Sequence, residues 1–239
     1  MTVHKLLFFL FLVLLYPKAV FSQELIIPNG ELNIGGTLEL AEAHQKGNPL
    51  IILITGSGAQ DRDETIFGFK PLKLIAEHLK ENGIASFRYD DRQIGASTGD
   101  FAQATLDDLA KDVAAIMDYF QYQSDVLFDE FILLGHSQGG IVSANVASKD
   151  ERVTGLILMA STTVPLKDVI NEQVIILQKA AGKSEGDIQY ILDFQELAYE
   201  TARNNEGWEE LKVDFQKLIE KEVANLPETQ RQYIVDVET

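Results

Sequence analysis

The chain has 239 residues, 46% of them hydrophobic, a formal net charge of −17 and no cysteine. This length supports one large core with room for a small accessory unit. The charge weighs against nucleic acid and anionic membranes as partners, since their phosphates would be repelled. The cysteine count excludes disulfides, cysteine-linked lipid and thiolate metal sites. Nearly half of the negative excess falls in residues 167–239, where it reads as solvated helix faces.

His4 and Lys5 precede an apolar run over residues 6–15, and Val20 and Ser22 stand at the positions a signal peptidase reads. The pattern predicts an export signal over residues 1–22, cut before Gln23, and hence a periplasmic or extracellular destination. The run is far shorter than the roughly 20 residues that cross a bilayer, so no stable membrane anchor is expected.

Residues 24–27 and 37–40 read as short strands, with Asn29-Gly30 and Gly35-Gly36 as turn markers between them. Residues 50–54 are apolar at every position, as in a parallel strand buried on both faces. That run stops at Thr55-Gly56-Ser57-Gly58. Pro71 opens a helix with an apolar stripe at Leu72, Ile75, Ala76 and Leu79, and Gly83 stands where a left-handed cap would end it. A strand over 84–89 and a polar loop over 90–99 follow.

Thr105 and Asp108 have capping-box spacing, ahead of a helix to about Gln123 with Leu106, Leu109, Val113, Ile116 and Met117 on one face. Residues 131–134 predict a buried strand, a helix then runs from Gln138 or Gly139 to near Lys149, and 153–160 predicts another strand. This alternation predicts an α/β fold with a mostly parallel sheet covered on both faces. Beyond Pro165 only helical patterns remain. Ser184 with Asp187 marks a cap before Ile188, Ile191 and Leu192, and Leu211, Phe215, Leu218 and Ile219 share a later face. Trp208 is expected to pack between these helices.

Gly135-His136-Ser137-Gln138-Gly139 fits G-x-S-x-G between a predicted strand and helix. A chain that reverses this sharply presents the serine hydroxyl at the carboxyl edge of the sheet, and the residues two before and two after it must be small. Ser137 is therefore the candidate nucleophile. The helix behind it aims free N–H groups at the same point, making the Gln138 N–H one oxyanion donor. The glycine-rich turn after 50–54 offers the second, from Ser57 with Gly58 as the fallback. That turn completes neither phosphate-binding glycine pattern.

Gly35-Gly36-Thr37-Leu38, "PLIILITGSGAQDRD", "GIASFRYDDRQIGASTGDF" and "LLGHSQGG", in this order, resemble the α/β-hydrolase superfamily, and within it exported bacterial acyl-ester hydrolases related to the serine aminopeptidase branch. The similarity covers roughly residues 24–165. It implies a sheet of about eight strands with a helical lid after the sixth, and supports Ser137 as nucleophile, with Ser57 and Gln138 as oxyanion donors. It implies no metal and no organic cofactor. Gln93 stands where the family pattern carries glycine. Asp61, Asp63, Asp90, Asp91, Arg62 and Arg92 are expected to form an ion-pair lattice between two loops.

A serine nucleophile must pass its proton to a base, normally a histidine oriented by a carboxylate. The resemblance implies that both follow the serine, on loops after the seventh and eighth strands. No histidine follows His136. His4 leaves with the signal, His44 lies on an early loop, His78 on the first covering helix, and the backbone of His136 directs its ring away from the exposed side of Ser137. The sequence therefore reads as a C-terminally truncated hydrolase: signal 1–22, hydrolase core 23–166 with strands 1–6 present and 7–8 missing, and a helical lid 167–239. The sixth strand should then form an uncovered apolar edge. The expected function is cleavage of small carboxylic esters or acyl substrates through an acyl-enzyme, inactive in this chain. The alternatives are acyl transfer or exopeptidase action by the same fold, and non-catalytic binding of a hydrophobic ligand.

Overall fold

A computed structural model describes residues 21–40 and 47–224, so His44 and most of the predicted signal lie outside the described residues. The chain divides into two compact units, Met1–Thr162 and Thr163–Thr239.

The first unit is built on a six-stranded sheet. β1 (Phe21–Asn29) and β2 (Leu32–Leu40) form an antiparallel hairpin whose register runs from Phe21 opposite Leu40 to Asn29 opposite Leu32. Both strands are longer than predicted, and β1 takes in the last two residues of the predicted signal. Asn29-Gly30 does mark the turn, with Gly30 at φ +62°. Gly35-Gly36 does not mark one. Both glycines sit inside β2, opposite Ile26 and Leu25. Their function is close approach: a Cβ on Gly35 would lie 2.4 Å from the Ala96 Cβ, and one on Gly36 2.2 Å from the Phe87 ring.

β3 (Leu50–Ile54) is buried at all five positions, as its unbroken apolar run predicts. Period-two alternation divides it between two cores. Leu50, Ile52 and Ile54 join Val113, Ile116, Met117 and Phe120 of α2 (Leu106–Tyr122) on one face. Ile51 and Leu53 meet Leu72, Ile75 and Leu79 of α1 (Pro71–Glu81) on the other. Burying two faces of one strand secures its position at the centre of the sheet. The loop at its carboxyl end thus starts from a fixed point.

The α2 capping box forms as the spacing predicts: the Thr105 hydroxyl accepts from the Asp108 N–H at 3.2 Å, and the Asp108 carboxylate accepts from the Thr105 N–H at 3.1 Å. β4 (Ser86–Tyr89) begins two residues later than expected. β5 (Phe131–His136) runs straight into α3 (Gln138–Ala147), and β6 (Val153–Met159) follows. The strand order is β1-β2-β4-β3-β5-β6, with β4, β3, β5 and β6 mutually parallel and only the β1-β2 hairpin antiparallel to its neighbours. This is the mostly parallel α/β sheet that the alternating pattern implies. Among the described residues β6 is the last strand, and its Leu156, Ile157 and Leu158 are 41–43% exposed.

The second unit consists, in its described residues, of α4 (Leu166–Ala180), α5 (Glu185–Asn204) and α6 (Trp208–Ala224). The Ser184 hydroxyl caps α5 by accepting from the Asp187 N–H, as predicted. Phe194 of α5 stacks on Phe215 of α6, with centroids 5.8 Å apart. Trp208 departs from expectation. It is half exposed at the first position of α6, and its indole N–H donates to the Asn205 side chain at 3.0 Å. A polar partner beside the interhelical turn draws it outward.

Candidate active site

Ser137 joins β5 to α3 at φ +49° and ψ −115°, a left-handed conformation that a residue with a side chain holds only when its surroundings fix it. Three hydrogen bonds supply that fixing. The Ser137 N–H donates to the Met159 carbonyl at 2.9 Å. The Ser137 carbonyl accepts from the Gly140 N–H at 3.1 Å and from the Ser161 hydroxyl at 2.8 Å. The neighbouring glycines are required by space. A Cβ on Gly135 would lie 2.3 Å from the Gly139 carbonyl, one on Gly139 2.4 Å from the Thr55 carbonyl oxygen, and one on Gly140 2.2 Å from the Ser161 hydroxyl. The tight packing therefore extends one residue beyond the five-residue pattern.

The turn after β3 reaches the same place. A Cβ on Gly56 would lie 3.5 Å from the Ser137 Cβ, so this turn and the elbow are in direct apposition. The Gly56 N–H is occupied, donating to Glu64 Oε1 at 2.9 Å. The N–H groups of Ser57, Gly58 and Gln138 form no hydrogen bond with the described residues. Gln138 opens α3, where the first N–H groups have no partner within the helix.

His136 meets a partner that its sequence neighbourhood does not indicate. Its Nδ1 lies 2.6 Å from Glu64 Oε1. Glu64 is only 2% exposed and holds φ +53°. Neither feature could be read locally: the residue lies 72 positions from His136, and nothing in its neighbourhood announces a left-handed glutamate. His78 stands near the end of α1, its side chain 79% exposed beside Glu81 and Asn82. α1 runs back along the parallel strands, so that end lies at the sheet edge opposite the elbow. No hydrogen bond among the described residues joins Ser137 Oγ to His78 or His136.

The acidic and basic residues of the two loops divide their work differently from the single lattice expected. Arg62 does clamp Asp90, with Nε to Oδ1 at 3.0 Å and Nη2 to Oδ2 at 2.6 Å. Burial pushes the Asp90 carboxyl up, but the Arg62 donors and the Ala96 N–H outweigh it and leave its pKa lowered. Arg92 instead pairs with Asp112 of α2 at 2.7 Å, and Asp63 binds Arg88 and Lys70. Asp61 closes its own turn by accepting from the N–H groups of Asp63 and Thr65. Gln93 holds φ +71°, which explains why glycine suits that position.

Asp91 ties the two loops together by accepting from the Thr55 hydroxyl at 2.8 Å and the Gln60 N–H at 2.9 Å. Burial pushes its carboxyl up to about 6 against the lowering pull of these donors. A folded pKa above the unfolded value means that the native state binds this proton more tightly. The associated stability is present at low pH and is lost as pH rises through 6. Asp91→Asn keeps an acceptor for both donors and removes the titration. From about pH 5 to about pH 7.5 the wild type is expected to lose roughly 1 kcal/mol relative to D91N, read from urea midpoints. Parallel pH profiles would show that burial does not perturb Asp91.

A sequence profile described as "Serine aminopeptidase, S33" matches residues 71–223, well over half of the chain. The chain belongs to the serine aminopeptidase S33 family. Among relatives, it is 28% identical over 130 residues to Esterase EstD of Thermotoga maritima, a match covering 54% of this chain and 31% of that protein. It is 33% identical over 126 residues to the mitochondrial palmitoyl-protein thioesterase ABHD10 of Rattus norvegicus, covering 52% and 38%. The S33 chain thus spans about a third of the length of these curated relatives. Proline iminopeptidase of Mycobacterium smegmatis has the same fold, with a TM-score of 0.54 at 18% identity over 75% of this chain and 56% of that one. Family and fold together place this chain in the α/β-hydrolase superfamily. No helix among the described residues is long and apolar enough to cross a membrane.

Proposed function

We propose that this S33 chain is the nucleophile-bearing part of an exported serine hydrolase that cleaves carboxylic esters through an acyl-enzyme on Ser137. The observation that carries this reading is the strained φ of +49° at Ser137, held at the carboxyl edge of the sheet against the Gly56 turn. In the proposed reaction Ser137 Oγ attacks the ester carbonyl, and the oxygen that becomes negative is received by the N–H groups of Ser57 and Gln138. The Oγ proton passes to a base and then to the departing alcohol, and water releases the acid by the reverse sequence. Neither described histidine bonds Ser137, and this chain is proposed to react slowly because its described residues hold no base for the Oγ proton. The esterase and thioesterase names of the relatives support an acyl-ester substrate, and the run over residues 6–15 supports export.

The family's description favours a second reading, in which the same acyl-enzyme forms from an amino-terminal peptide bond. Hydrolysis of p-nitrophenyl acetate compared with aminoacyl p-nitroanilides separates the two. The ester is expected to react measurably and the anilides not at all. Preferential anilide cleavage would install the exopeptidase reading. Tight fatty-acid binding, with neither activity, would favour a non-catalytic binding protein.

A further inference from the structure

The pair of buried Glu64 and partly exposed His136 beside the elbow is unexplained by the chemistry assigned to Ser137. Glu64 Oε1 receives both the Gly56 N–H at 2.9 Å and His136 Nδ1 at 2.6 Å, while Oε2 is buried without a partner among the described residues. A carboxylate buried in this way is costly, and a glutamate at φ +53° adds backbone strain. Its own turn does not need it, because the Asp61 carboxylate already closes residues 61–65 and the Glu64 N–H donates to the Asp61 carbonyl at 2.8 Å. Asp91 holds both ends of the 55–60 loop, through the Thr55 hydroxyl and the Gln60 N–H. Within it, Glu64 is the described group that accepts from the Gly56 N–H. A Cβ on Gly56 would lie 2.8 Å from Glu64 Oε1, 3.1 Å from His136 Nδ1 and 3.5 Å from Ser137 Cβ, so all three groups converge on one glycine.

We propose that Glu64 is a positioning residue that clasps Gly56 to His136, fixing the Gly56-Ser57 turn against Ser137 so that the Ser57 N–H is preorganised for the oxyanion. With its hydrogen on Nδ1, His136 serves as the second anchor of the clasp and not as the base. The inference rests on the reading of Ser137 as nucleophile. It assigns a role to two residues that the reaction itself does not use. Both anchor atoms donate to a single oxygen, so an amide oxygen in the same place can replace the carboxylate, whereas an alkyl group cannot.

The test uses the full chain and its slow hydrolysis of p-nitrophenyl acetate, measured as kcat and KM beside the thermal midpoint. Glu64→Ala is expected to lower kcat on the order of tenfold to a hundredfold with KM little changed, the size of effect a 1 Å misplacement produces. Glu64→Gln should recover most of that loss. His136→Ala removes the second donor to Glu64 Oε1 and should lower kcat by a similar factor, and the double variant Glu64→Ala/His136→Ala should be no slower than the slower single. Wild-type kcat in Glu64→Ala or in a folded His136→Ala would overturn the proposal. So would additive losses in the double variant, or equal losses in E64A and E64Q that track their thermal midpoints. Fluorophosphonate labelling with peptide mapping separates the two levels: if no adduct forms on Ser137, the nucleophile assignment falls and the clasp with it.

Discussion

Incubated with p-nitrophenyl acetate, the 239-residue chain is expected to turn over on the order of a millionfold more slowly than a complete serine triad, yet roughly a thousand- to ten-thousandfold faster than water alone. The two figures separate the parts of the site. The first is the loss when no imidazole takes the Ser137 proton, and the second is what positioned oxyanion donors retain without it. Steady-state assays at high protein concentration, with the protein-free rate subtracted, measure both. A kcat near the ordinary enzyme range of about 10 s⁻¹ would mean that a base already reaches Ser137.

Gly139→Ala is expected to destabilise the first unit by about 3 kcal/mol or more, among the largest effects of any single methyl group in this chain. The added Cβ would meet the carbonyl oxygens of Thr55 and Ile54 at 2.4 and 2.5 Å. These atoms end the central strand, which is buried on both faces and cannot give way. Gly30→Ala is the control. A Cβ on Gly30 would have no neighbour within 4 Å, so only its φ of +62° is penalised, by roughly 1 kcal/mol. Urea unfolding of both variants reads the difference. Equal midpoints would show that the elbow can shift to admit a side chain.

The features legible in the sequence are those whose cause is local. Residues 50–54 announce a doubly buried strand because every position is apolar. Thr105 and Asp108 announce a helix start because the capping box closes over three residues. The Ser137 elbow is legible because its strain and its glycines lie within one turn. The expectations that failed depend on partners far away in the chain. Gly35-Gly36 looks like a turn until Ala96 and Phe87 are seen lying against it. Arg92 looks like a partner for the aspartates beside it until Asp112 of α2 proves better placed. Glu64 carries no local mark of its union with His136. Trp208 is the exception among them, since its partner Asn205 lies only three residues away.

A nucleophile at Ser137 with no base among the described residues is tested most directly by the rate and site of fluorophosphonate labelling, followed by intact mass and peptide mapping. Slow labelling is expected, over hours and not seconds, with the whole adduct on Ser137 and none in Ser137→Ala. Adduct on another residue, or rapid labelling of Ser137 that disappears in His136→Ala but not in Glu64→Ala, would contradict it.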